Sequence, residues 1–160
     1  MTSAFDPSIF LDTQQNEVNE RRPPLPTENP DDPNGCYTAV IEEIKADSGT
    51  IGKGERLGQL WVSMIIPLRL QVPAAVQALG LPPELTLTDR AFLDLTPQGS
   101  IDNSKGKNRT QRAYRDACNL NKPGEPFAWR QLQGHVVKVR VVHELYNEQI
   151  QERIATILPA

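Results

Sequence analysis

Five cations and no acid fall between Ser104 and Arg115: Lys105, Lys107, Arg109, Arg112 and Arg115. Ammonium and guanidinium groups at this density neutralise phosphates without reading sequence. Rings that could stack on bases lie upstream. In the segment from Arg90 to Leu95, Ala91, Leu93 and Leu95 alternate as the apolar face of a strand, which turns Arg90 and Phe92 to the other side. Val137, Val139 and Val141 do the same later, leaving Lys138 and Arg140 opposite them. An aromatic ring beside cations is the equipment for holding a single-stranded polyanion by stacking and charge. Trp61 is either a further stacking platform or a core residue, because Leu60 and Val62 flank it on the opposite face. Tyr114 and Trp129 read as packing residues.

Catalytic readings find less support. His135 and His143 are eight residues apart on one predicted strand, roughly 26 Å, too far to share a metal. Gly49 to Gly54 lacks the spacing of a phosphate-binding nucleotide loop and the Ser or Thr after Lys53. Pro30-Asp31 followed by Glu43 and Lys45 has the spacing of a Mg²⁺-dependent nuclease, but Asp31 lies off any predicted strand. Cys36 and Cys118 read as isolated reduced thiols. The expectation is therefore no enzyme, no cofactor and no metal, with nuclease activity as a minor alternative.

The elements that must position these groups follow from periodicity. Residues 1–33 are acidic, with Arg21 and Arg22 against Asp6, Asp12, Glu17, Glu20, Glu28, Asp31 and Asp32, and carry Pro7, Pro23, Pro24, Pro26 and Pro30. They read as an extended arm, with Asp6-Pro7 starting a short helical turn around Ile9, Phe10 and Leu11. From Ser104 to Val142 the balance reverses, nine cations facing only Asp116 and Glu125, although the chain as a whole carries −3. Strands are predicted over 36–46, 59–70, 85–95, 135–146 and 151–158, a short helix over 72–79 and an amphipathic helix over 109–119. Three strands, a helical segment and two strands suit a mainly β domain over 34–160. The specific expectation is a five-stranded antiparallel barrel of the oligonucleotide-binding type, with short helices between strands three and four. No apolar run is long enough for a membrane span, and no signal peptide is read at the start, so a cytoplasmic location is expected.

Several stretches together resemble phage-encoded single-stranded DNA-binding proteins of the oligonucleotide-binding barrel type. These are Phe5 to Leu11, Asn34 to Ala39, Phe92 to Asn108 with its Lys-Gly-Lys loop, and Asn121 to Arg140 ending in Val-Lys-Val-Arg. The resemblance implies sequence-independent protection of single-stranded DNA, with RNA left open, during phage replication or recombination in the host cytoplasm. It places Phe92, Lys105, Lys107, Lys138 and Arg140 around the binding surface; Trp61, Arg90, Arg109 and Arg112 complete the expected site. Such proteins often carry an acidic tail at the C-terminus, whereas here the acids gather at the N-terminus. The arm is thus expected to recruit a replication protein or a second copy, and a non-enzymatic association module is the alternative function.

Overall fold

The computed structural model describes residues 4–160. Six antiparallel strands form one open sheet: β1 (Tyr37–Ile41), β2 (Lys45–Thr50), β3 (Leu60–Gln71), β4 (Glu84–Phe92), β5 (Val136–Tyr146) and β6 (Gln149–Pro159). Two short helices accompany them, α1 (Ala74–Gln77) and α2 (Arg109–Ala117), with 3₁₀ turns at Pro7–Leu11 and Trp129–Leu132. None is long and apolar enough to cross a membrane, among the described residues.

Alternation explains the strands. Tyr37, Ala39 and Ile41 of β1, Ile66, Leu68 and Leu70 of β3, and Val137, Val139 and Val141 of β5 are all buried, and their neighbours turn outward. The predicted strand over 36–46 is broken at Glu42–Ile44, and its second half runs on to Thr50, four residues past the predicted end and into what reads from sequence as a loop, so six strands replace the expected five. Its two halves stay on the same edge of β3, β2 pairing with residues 60–65 and β1 with 68–70, while β4 takes the other edge. The expected barrel closure is absent. β4 and β6 have no ladder between them, and α2 packs across both. A bulge between Arg140 and Val141 in the β5–β6 ladder leaves Ala155 of β6 without an opposite partner.

Helix α2 is placed by a polar staple. Asn108 is buried at φ 52°, a left-handed conformation that asparagine tolerates. Its N–H donates to the Asp94 carboxylate at 2.7 Å, and its side-chain amide both accepts from Asp94 N–H at 2.9 Å and donates to Asp102 O at 2.9 Å. The side chains α2 buries most fully are Gln111 and Tyr114, with Ala113 and Ala117 only half-buried.

The arm divides in two. Residues 5–21 are exposed, and the Asp6 carboxylate caps the first turn by accepting from Ser8 N–H at 3.0 Å. From Arg22 onward the chain is docked. Arg22 forks onto Glu152 at 2.6 and 3.0 Å, Leu25 is wholly buried in the core, and the Tyr37 hydroxyl donates to Pro26 O at 2.7 Å. An extended, proline-rich strap is what such docking needs, since few of its N–H groups require partners. The boundary expected at residue 34 therefore separates Leu25 from the core that contains it.

Candidate nucleic-acid interface

The outward residues of β3 and β4 form one face. Antiparallel register sets Ser63 opposite Phe92 and Asp47, Ile65 opposite Arg90 and Lys45, and Trp61 opposite Gly49. Trp61 and Phe92 meet edge to face, with ring centroids 5.8 Å apart and planes at 66°. Phe92 is 59% exposed, unusual for a ring with no structural reason to face water. The indole lies on Gly49, where any Cβ would come within 2.6 Å of it. Between the rings Ser63 is buried, its hydroxyl without a hydrogen-bond partner among the described residues. The Arg90 guanidinium sits 5.9 Å from the Phe92 centroid and 3.8 Å from the Asp47 carboxylate.

A cleft of about 670 Å³ opens beside the pair, with Ile51, Leu60 and Leu95 as apolar wall and Lys107 at its rim. Lys107 reaches this position through a tight turn in which its N–H donates to Ser104 O at 3.1 Å and Gly106 takes φ 84°. Lys105 projects from the same turn, exposed. Arg109 and Arg112 stand on α2 and line a second cleft, shared with Arg90, between α2, β4 and β6. Neither makes an ion pair with any described residue. The Asp116 carboxylate, one turn from Arg112, instead accepts from Asn121 at 2.8 Å. Arg115 is withdrawn from the run, its guanidinium 4.5 Å from the Phe127 centroid and donating to Leu120 O at 3.1 Å.

Lys138 and Arg140 depart from expectation. Alternation does turn them outward, but the docked strap covers them: Lys138 pairs with Asp32, and Arg140 donates to Asn34 O at 2.6 Å with Glu28 at 3.7 Å. Asp32 is correspondingly held below the usual carboxylate range, by Lys138 first and by the Cys36 N–H second. These two cations hold the strap, with 36% and 38% of their side chains still exposed. The structure thus brings Trp61, Arg90, Phe92 and Lys107 together, sets Arg109 and Arg112 next to them, leaves Lys105 on the turn, and commits Lys138 and Arg140 to contacts with the strap.

Beneath this face the buried Tyr114 meets the part-buried Asp89. The Tyr114 hydroxyl donates to the Asp89 carboxylate at 2.7 Å, and burial pushes both groups' pKa values up. Tyr114 and Trp129 pack as expected, 6.2 Å apart, although the Trp129 indole N–H is buried without a partner among the described residues. The Tyr37 hydroxyl is likewise pushed up to about 12 by burial, with the Glu28 charge adding to it. Asp31 and Glu43, the carboxylates of the nuclease alternative, are both exposed, and no three His, Cys, Asp or Glu side chains gather as metal ligands among the described residues.

Sequence reasoning passed over Gly49, Asp94, Asn108 and Arg153, the last also lining the second cleft. Only Asn108 left a signal, as a helix-preceding asparagine. A scan against models of protein families found no match to this chain, and no curated protein matches it.

Proposed function

We propose that this chain binds single-stranded nucleic acid, DNA foremost, largely without sequence preference, and performs no chemistry on it. The observation that carries this reading is the Trp61–Phe92 pair on the outer sheet face, with Phe92 exposed, Trp61 half-buried, and Arg90 and Lys107 beside them. Bases of any identity can stack there while Lys107 and Arg90, beside the rings, meet the backbone. The strand order supports an oligonucleotide-binding barrel as the parent architecture. A bent first strand, β1 with β2, pairs both β3 and β5, and a helix lies between β4 and β5. On this reading α2 stands in for the missing closing ladder. The resemblance to phage single-stranded DNA-binding proteins supports the same assignment and a role in phage replication or recombination.

The test is a fluorescence titration with oligo-dT. Trp129 is half-buried behind Phe127 and Tyr114, so quenching of the Trp129→Phe variant reports Trp61 alone. Quenching at low salt that fades with added salt is expected, and no binding at low salt overturns the reading. Phe92→Ala should weaken binding by about 1–3 kcal/mol; wild-type affinity in a folded variant removes Phe92 from the site.

A second reading, association through the arm, is favoured by the exposure of Ile9, Phe10 and Leu11 on the Pro7–Leu11 turn and of Phe5 just before it. Light scattering on a chain lacking residues 1–21 separates the two. An unchanged oligomeric state leaves the turn without that role.

A further inference from the structure

The gap in the sheet is lined by four arginines. Between α2, β4 and β6 lies a cleft of about 580 Å³ lined by Arg90, Arg109, Arg112 and Arg153. Four arginines lining one cleft bring like charges close together, and Asp89, whose carboxylate feels the Arg153 charge, is the one carboxylate among the described residues of the lining. Asp89 lines the cleft, but its oxygens accept from the Tyr114 hydroxyl and from Arg90 N–H. Arg153 pairs with Glu144 and Arg90 reaches Asp47 at 3.8 Å, both on exposed side chains. Surface pairs of this kind are weak and give way to a better partner. Arg109 and Arg112 have no carboxylate to displace.

Helix α2 adds to this. Asn108 precedes it but spends its side chain on Asp94 and Asp102, so no side chain caps the helix. The first N–H groups of α2 are left for another acceptor at the point where Arg109 and Thr110 line the cleft. Thr156 contributes a hydroxyl from the β6 side, next to the bulged Ala155.

We propose that this cleft is a phosphate-binding site that seats the sugar-phosphate backbone of the strand whose bases stack on Trp61 and Phe92. The inference rests on the stacking reading above and extends it. Arg90 joins the two clefts, lining this one while its guanidinium lies 5.9 Å from the Phe92 centroid. The strand crosses from the rings over Arg90 into the gap where a closed barrel would have a ladder. The missing β4–β6 pairing is therefore the feature that makes room for the ligand, and Arg153 is a binding residue.

The experiment measures the salt dependence of oligo-dT binding in the full chain, following Trp61 quenching. Each lost phosphate contact on single-stranded nucleic acid should lower the slope of log K against log salt by about 0.7. Arg109→Gln/Arg112→Gln should thus flatten it by about 1.4, and Arg153→Gln by about 0.7, with quenching at saturation unchanged. Lys122→Gln/Arg130→Gln removes the same charge outside the cleft and should leave the slope as in wild type. An unchanged slope in the Arg109/Arg112 variant, with quenching intact, overturns the cleft and leaves the stacking reading standing. Loss of quenching in wild type at low salt brings down the stacking reading itself. Pyrophosphate is the second probe. Displacement of oligo-dT by pyrophosphate in wild type but not in the double variant is expected. If pyrophosphate binds without displacing it, the cleft is a separate anion site and its assignment to the backbone falls.

Discussion

At the scale of single residues, the aromatic face depends on a residue with no side chain. The Trp61 indole occupies the space a Cβ at Gly49 would need, at 2.6 Å, so Gly49→Ala forces the ring off the strand pair. The expected outcome is a shifted Trp61 emission and weaker oligo-dT binding in a folded protein; unaltered emission and affinity would show that the ring has another resting place. Asp89 is a different case, a carboxylate that burial holds above the ordinary range despite the Tyr114 hydroxyl. A raised folded value means its stabilising contribution is complete below about pH 4 and is lost as pH rises through that value. Asp89→Asn keeps an acceptor for Tyr114 and removes the buried charge. Thermal melts should find the variant more stable than wild type at pH 7, with the difference shrinking toward acid; a constant difference refutes this account. Phe92 was legible from alternation because Ala91 does take the inner face, but the strand ends at Phe92, and Leu93 and Leu95, expected on the inner face too, line the cleft beside the rings. Gly49 was not legible, because its importance lies in a neighbour one strand away.

At the scale of elements, the strap from Arg22 to Cys36 is part of the domain. Leu25 is fully buried among β1, β3 and β5 residues, so Leu25→Ala should cost about 2–5 kcal/mol in urea unfolding. A chain lacking residues 1–21 should keep the stability of the full chain, whereas one lacking 1–33 should lose Leu25 and Asp32 and unfold earlier. Equal midpoints for the two truncations would contradict the docking. Proline-rich sequence has no period to read, and a single leucine among prolines carries no signal of where it will be buried. The same limit explains Lys138 and Arg140. Alternation in β5 assigned them outward correctly, but which face a residue takes says nothing about what crosses over it. The Asp32 and Glu28 that meet them lie about a hundred residues earlier in the chain.

At the scale of the whole molecule, an acidic arm and a basic middle coexist in a chain of net charge −3. Global charge therefore does not favour a polyanion, and local charge must carry the attraction. Binding should weaken steeply with salt, and competition should rank oligo-dT well above duplex DNA, because a duplex offers no unstacked base to Trp61 and Phe92. Equal competition by duplex would reduce the face to a plain electrostatic surface. The inward valines, the span of α2 and the outward turn of Arg90 and Phe92 follow from local periodicity, which is why the amino-acid sequence alone determined them, whereas the separate strand β2 did not show in it. Sheet closure, the docking of the strap and the division of cations into paired and free were decided only by tertiary structure. Each depends on register and on contacts between residues far apart in the chain, and neither of these leaves a mark on local pattern.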